Sequence, residues 1–345
     1  MLSTLKQVFD REPADHQAQH GNAQASHGDG IHLSLDELLQ IRHHARERSS
    51  RRRKRTLAPR TASQRSRALG RGLDFAEARV YQPGDDVRLI DWNVTARTNV
   101  VHTKLFEQEK ERPVFFVVDF GRTMRFGTRR ALKSIVAARL ATQLAWTYAA
   151  TGERIGGVVV NETRHIELKP LSSTRGTLAL IRTLVDMHRD SLLIQSSAAQ
   201  LANPGYFSSA LARLRALAHP GSTVVVVSDF ANLDATDQQH LRWLSLHTEC
   251  IAARTVDRVE RALPNSGRFA ISDGEHHTEF DAGDARLQRS HKSNHARISQ
   301  NLVDLFSGAG NFCVELTSED NYTDVAHSIL NRDPEFTLIR RDDRA

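Results

Sequence analysis

The chain has 345 residues, 39% hydrophobic and 26% charged, with a net charge of +6. That length carries one large or two ordinary domains with a substantial core, and the longest apolar runs are far too short to span a bilayer. The N-terminal stretch lacks the basic start, long apolar middle and small-residue cleavage site of a signal peptide, so the expected location is the cytoplasm. Cys250 and Cys313 sit in separate apolar runs and read as buried, inert thiols, which supports neither redox chemistry nor a cysteine zinc site. The charge is uneven. Between Ile41 and Gly72 stand twelve Arg or Lys residues and one acid, Glu47, so the remainder of the chain is mildly acidic.

Residues 1–30 are rich in His, Gln, Asp, Gly and Ala and read as a tail. Ile31–Arg46 reads as a short amphipathic helix, with Ser34 as N-cap and Glu37 three residues on, expected to dock on the main body. The run Arg51–Arg55 offers phosphate neutralisation. No aromatics interleave with it, so nucleic-acid binding is the minor reading and a solvated loop the main one. Gly70 and Gly72 do not make a dinucleotide fingerprint, because no strand precedes them. Pro83-Gly84-Asp85-Asp86 is a turn, flanked by strand-like pieces at Ala78–Tyr81, Val87–Trp92 and Val100–Phe106 that suggest a small β-subdomain. Asp85, Asp86, Arg88, Asp91 and Arg97 alternate in sign densely enough for an ion-pair network, with Trp92 expected as an anchor to the main sheet.

Val114–Val118 is an unbroken apolar run that reads as a strand buried on both faces and ends in Asp119. A helix follows, carrying Leu132, Ile135, Val136, Leu140 and Leu144 on one face and stopped by Gly152. Ile155–Val160 is a second buried strand, and Glu162–Leu168 its hairpin partner at an edge. Ser172, Ser173 and Thr174 precede the next helix, with capping as their default role. Thr223–Phe230 repeats the earlier pattern, a valine strand that stops at Ser228-Asp229. Strands at Cys250–Ala253 and Phe312–Leu316, a hairpin around Asp273-Gly274, and helices at Ala285–Phe306 and Tyr322–Asn331 complete the chain. His291 and His295 lie one turn apart without a third ligand, which argues against zinc. Strands alternating with helices predict an α/β fold with a doubly wound, mainly parallel sheet. The expected layout is a tail at 1–30, a helix, basic linker and β-subdomain at 31–110, the α/β domain at 111–332 and a charged tail at 333–345.

Two parallel strands that both end in aspartate can place Asp119 and Asp229 at one crevice on the carboxyl edge of such a sheet. Thr123 and a hydroxyl from Ser172–Thr174 can join them. Carboxylates with hydroxyls form an all-oxygen set of the kind Mg²⁺ prefers. The alternative is that Asp119 only caps the following turn.

This pattern resembles the von Willebrand factor A fold and its metal-ion-dependent adhesion site, written DxSxS. Here the motif stands as Asp119-Phe120-Gly121-Arg122-Thr123. The resemblance implies Asp119, Thr123, Thr174 and Asp229 as metal-site residues, with Gly121 in place of one serine ligand, which weakens a Mg²⁺ site. Tyr81, Pro83-Gly84-Asp85-Asp86, Arg88, Ile90-Asp91-Trp92 and Ala96-Arg97, directly before such a domain, resemble the bacterial family called domain of unknown function fifty-eight. That resemblance covers about residues 31–330. It implies a partner of MoxR-type AAA+ ATPases, acting as a non-catalytic adaptor in assembly or maturation of a client protein. A metal-dependent hydrolase or phosphatase using Asp119 is a second reading. No lysine or further acid close behind Asp119 supports it.

Overall fold

The computed structural model describes residues 29–43, 74–107, 112–194, 205–272, 277–308, 310–333 and 338. The basic run Arg51–Arg55, the first 28 residues, the Asp273-Gly274 turn and most of the expected C-terminal tail lie outside them. The chain divides into two compact units, residues 50–111 and the remainder.

In the larger unit, helix α1 (residues 35–43) is followed, after the smaller unit, by a six-stranded sheet and its helices. For the whole chain the strands are β1 (Asp74–Val80), β2 (His102–Glu107), β3 (Val114–Asp119), β4 (Ile155–Val160), β5 (His165–Leu171), β6 (Thr223–Ser228), β7 (Glu249–Thr255), β8 (Arg268–Ser272), β9 (His277–Asp281) and β10 (Phe312–Leu316). The main sheet has the order β10-β7-β6-β3-β4-β5. Five strands are parallel and β5, at one edge, is antiparallel to β4. Counted within this sheet the order is 3-2-1-4-5-6, with its topological switch between β3 and β6. The expected doubly wound, mainly parallel α/β fold is the observed one.

The period of two along each strand builds two cores. Val114, Phe116 and Val118 of β3, with Val225 and Val227 of β6, face one layer. Phe115 and Val117, with Val224 and Val226, face the other. An unbroken apolar run is what a strand covered on both faces requires. Close strand packing also fixes Gly157 in β4. Its φ is 153°, and a Cβ there would collide with the Phe116 carbonyl of β3.

The first layer holds α1, α3 (Lys133–Ala150), α4 (Ser173–Leu193) and α9 (Tyr322–Asn331), and the second holds α5 (Tyr206–Leu217), α6 (Ala235–His247) and α8 (Ala285–Leu305). The names α2 and α7 are kept for two short helices, Trp92–Thr98 and Arg258–Arg261. Every residue of α3 from Lys133 to Tyr148 is buried, because the sheet, α4, α9 and α1 enclose it. Helix α1 docks as expected: Leu38 and Ile41 are buried, Arg139 donates to Glu37 at 2.5 Å, and Arg42 lies over Trp146. It belongs to the larger unit, not with the β-subdomain as the 31–110 boundary had it.

The smaller unit pairs β1 with β2 in an antiparallel ladder. The expected strand over Val87–Trp92 is instead a 3₁₀ turn (Val87–Leu89), a single bridge from Ile90 to Thr103, and the start of α2. The acids decide this. Asp86 accepts from Arg88 N, and Asp91 accepts from Asn93 N and Val94 N, so each caps a helix start and ends the extended stretch.

Because Leu38, on α1, is fully buried in the first core, Leu38→Ala is expected to lower the unfolding free energy by about 3 kcal/mol in urea denaturation. A loss under about 0.5 kcal/mol would show that α1 does not dock there.

Candidate functional site at the carboxyl edge of the sheet

The ends of β3 and β6 are hydrogen-bonded neighbours, paired from Val114–Thr223 to Val118–Val227. Asp119 and Asp229 therefore stand on the same edge, as the sequence implies, and both are buried. Neither carboxylate is vacant. Asp119 Oδ1 accepts from Gly121 N at 2.8 Å and, more weakly, from the Tyr206 hydroxyl at 3.4 Å. Its Oδ2 accepts from Ser228 Oγ at 2.7 Å. Asp229 Oδ1 accepts from Ala231 N at 3.1 Å, and Oδ2 accepts from Lys133 Nζ at 2.8 Å.

Lys133 is the residue that sequence reasoning missed. It opens α3, its side chain is 3% exposed, and its ammonium also donates to Glu260 Oε1 at 2.7 Å. Burial alone would depress this ammonium, but the charges of Asp229 and Glu260 outweigh it and hold it above its ordinary value. Glu260 is placed by a capping box: its Oε2 accepts from Asp257 N, while Asp257 caps α7 through Val259 N. Asp257 follows β7, the next strand over, and grips Thr128 through both its N–H and its hydroxyl, at 2.9 and 2.6 Å. Three adjacent parallel strands thus end in buried acids. The signal was present in Thr255-Val256-Asp257, a third β-branched run stopped by an aspartate.

Gly121 and Tyr206 are coupled. A Cβ at position 121 would collide with the Tyr206 hydroxyl, so glycine there admits the tyrosine to Asp119. Burial and the charges of Asp119 and Asp229 push the Tyr206 phenol far up, which keeps it a donor. Phe230, straight after Asp229, holds a φ of 52°, uncommon for a bulky side chain, and donates its N–H to Ser228 Oγ at 3.2 Å.

Thr123 lies half-buried in the 3₁₀ turn Arg122–Arg125, on the same edge. Thr174 does not join the cluster. The antiparallel β5 returns the chain to the amino edge, where Leu171 pairs with Ile155, and α4 starts there. The far end of α4 reaches the carboxyl edge, where Arg125 donates to Ser191 O. Thr174 is 17 residues before Ser191 on that helix, about 25 Å along its axis. Ser172 caps α4 by position but makes no side-chain cap bond.

Of the expected network of Asp85, Asp86, Arg88, Asp91 and Arg97, Asp85 is ion-paired among the described residues, with Arg79, outside that set, at 2.6 Å. Asp85 also accepts from Gln82 N within the Pro83-Gly84 turn. Tyr81 is half-buried. Among the described residues Arg88 and Arg97 pair with no acid, and both are exposed. Trp92, expected as an anchor, is 68% exposed.

Burial, and then the neighbouring charge of Asp229, push the Asp119 carboxyl up to about 7 against the hydrogen bonds of Gly121, Ser228 and Tyr206. The folded chain therefore holds a proton that the unfolded chain releases near pH 4. The stability this contributes is complete below about pH 4 and is lost as pH rises towards 7. Asp119→Asn stays neutral throughout. The unfolding free energy of the variant minus that of the wild type, from urea denaturation, is expected to rise between about pH 5 and 7 and level off above about 8. A difference independent of pH would contradict the raised Asp119 carboxyl.

The family model "Protein of unknown function DUF58" matches residues 77–301, well over half of the chain. The uncharacterized proteins Rv1480 of Mycobacterium tuberculosis and Mb1516 of Mycobacterium bovis are each 27% identical to it over 206 residues. The match covers 60% of this chain and 62% of each relative, so the chain spans less than two thirds of their length. Among solved structures, BatB from Bacteroides thetaiotaomicron overlaps 64% of this chain and 98% of its own at 11% identity, with a TM-score of 0.39. A von Willebrand factor type A protein from Catenulispora acidiphila overlaps 68% of this chain and 43% of its own at 11% identity, with a TM-score of 0.36. The extent of the family match, from the small β-unit through the aspartate-bearing strands to α8, places the chain in the DUF58 family.

Proposed function

We propose that the chain is a non-catalytic protein-interaction adaptor, working with a MoxR-type AAA+ ATPase in the assembly or maturation of a client protein. The observation that carries this reading is the surface of the smaller unit. Val80, Val87, Trp92, Val100 and Val101 are all exposed, from 39% to 68%, within 22 residues of sequence. Arg88 and Arg97, both exposed, lie beside them in the chain. Exposed apolar groups clustered in so short a segment mark interaction surfaces, and Trp and Arg are the side chains that most often dominate binding energy.

The carboxyl edge of the larger unit supports the non-catalytic half. A nucleophile must be free to reach substrate, and a general base must be free to take its proton. Asp119 and Asp229 are instead buried, and every oxygen of the two carboxylates accepts from a donor of their own chain. The ATPase as partner rests on the resemblance carried by Tyr81 through Arg97 and Asp119.

A pull-down and titration of the full chain against a MoxR-type ATPase from the same organism tests the reading. Trp92→Ala and Arg97→Ala are each expected to weaken binding about tenfold or more while leaving the unfolding midpoint unchanged, as exposed side chains allow. Binding undisturbed by both substitutions would remove the small unit from the interface.

A further inference from the structure

We infer that the carboxyl-edge site carries its own cation, the Lys133 ammonium, and takes no divalent metal. A Mg²⁺ site needs near-octahedral oxygen ligands at about 2.0–2.1 Å, with lone pairs aimed at one point. Here the lone pairs are aimed elsewhere. Asp229 turns one oxygen to Lys133 Nζ and the other to Ala231 N. Asp119 turns its oxygens to Gly121 N, Tyr206 and Ser228. Position 121 supplies no oxygen, and the Tyr206 hydroxyl fills the space a side chain there would need. Thr174 is at the opposite edge of the sheet. Among the described residues no three acidic, His or Cys side chains converge as a metal-holding group.

The placement of Lys133 argues for a dedicated role. A lysine in the first turn of a helix opposes the positive end of the helix dipole. It is tolerated inside the protein only when acids surround it, and here Asp229 and Glu260 both contact the ammonium. The ammonium supplies to Asp229 the positive charge that a divalent ion would bring, while Asp119 is held by hydrogen bonds from Gly121, Ser228 and Tyr206. Lys133 is thus a positioning residue for Asp229, and the edge is preorganised whether or not divalent ions are present.

The test uses the full wild-type chain, uniformly ¹⁵N-labelled. Mn²⁺ titration followed by water-proton relaxation is expected to show no saturable binding at millimolar metal. The thermal midpoint is expected to be the same in MgCl₂ and in EDTA. The Lys133 ammonium is expected as a slowly exchanging ¹⁵N resonance, assigned by its loss in Lys133→Met and unmoved by MgCl₂. Saturable Mn²⁺ binding that disappears in both Asp119→Asn and Asp229→Asn overturns the inference, as does displacement of the ammonium resonance by MgCl₂. Binding that persists in both variants lies elsewhere on the chain and leaves the inference standing.

Discussion

One contact organises the carboxyl edge: the buried pair between Lys133 and Asp229. Two strand-end aspartates on neighbouring strands put like charges together in a region with little water. Each would destabilise the other without a counter-charge. Lys133 offsets Asp229, and Glu260 shares the same ammonium. Asp119, left without a cation of its own, is held by Ser228, Gly121 and Tyr206 and by a raised affinity for a proton. The consequence reaches three strands. Glu260 ties the pair to Asp257, and Asp257 grips Thr128 in the loop that leads into α3. The turn after β3, the start of α3 and the ends of β6 and β7 are therefore locked to each other by charge and hydrogen bonds as well as by apolar packing.

In the larger unit the carboxylates of Asp119 and Asp229 accept from donors of their own unit. The smaller unit spends its own acids on caps, with Asp86 and Asp91 starting the 3₁₀ turn and α2, and so leaves Arg88, Arg97 and Trp92 outward. Side chains committed to local backbone cannot form the network that their alternating signs suggest. What remains exposed is a set of apolar and guanidinium groups.

The fold was legible because its signals are local and strong. Val114–Val118 and Thr223–Ser228 are short β-branched runs that each stop at an aspartate, and a parallel sheet needs them covered on both faces. The alternation of strands and helices allows them to be neighbours, and the strand order makes them so. Lys133 was not legible, since nothing in Leu132-Lys133-Ser134 distinguishes a buried lysine from a solvated one. Its only trace is a cation at a helix start, against the dipole, in a helix otherwise poor in charge. Tyr206 and Gly121 are 85 positions apart and meet only in three dimensions. Thr174 was misplaced although the hairpin of β4 and β5 was foreseen, because a hairpin reverses the chain and so obliges α4 to start at the wrong edge. Val87–Trp92 has strand-like composition, but Asp86 and Asp91 are helix caps, and capping outweighed propensity.

The account stands on the coupling between Lys133 and Asp229, and a double-mutant cycle measures it directly. Unfolding free energies of wild type, Lys133→Met, Asp229→Asn and the double variant give the interaction free of the rest of each side chain. Lys133→Met strands the buried Asp229 and is expected to cost about 3–5 kcal/mol, Asp229→Asn leaves the ammonium with Glu260 alone and is expected to cost less, and the double change falls short of the sum by about 2 kcal/mol or more. Additive single effects, with coupling below about 0.5 kcal/mol, would contradict the claim that this pair holds the edge of the sheet together.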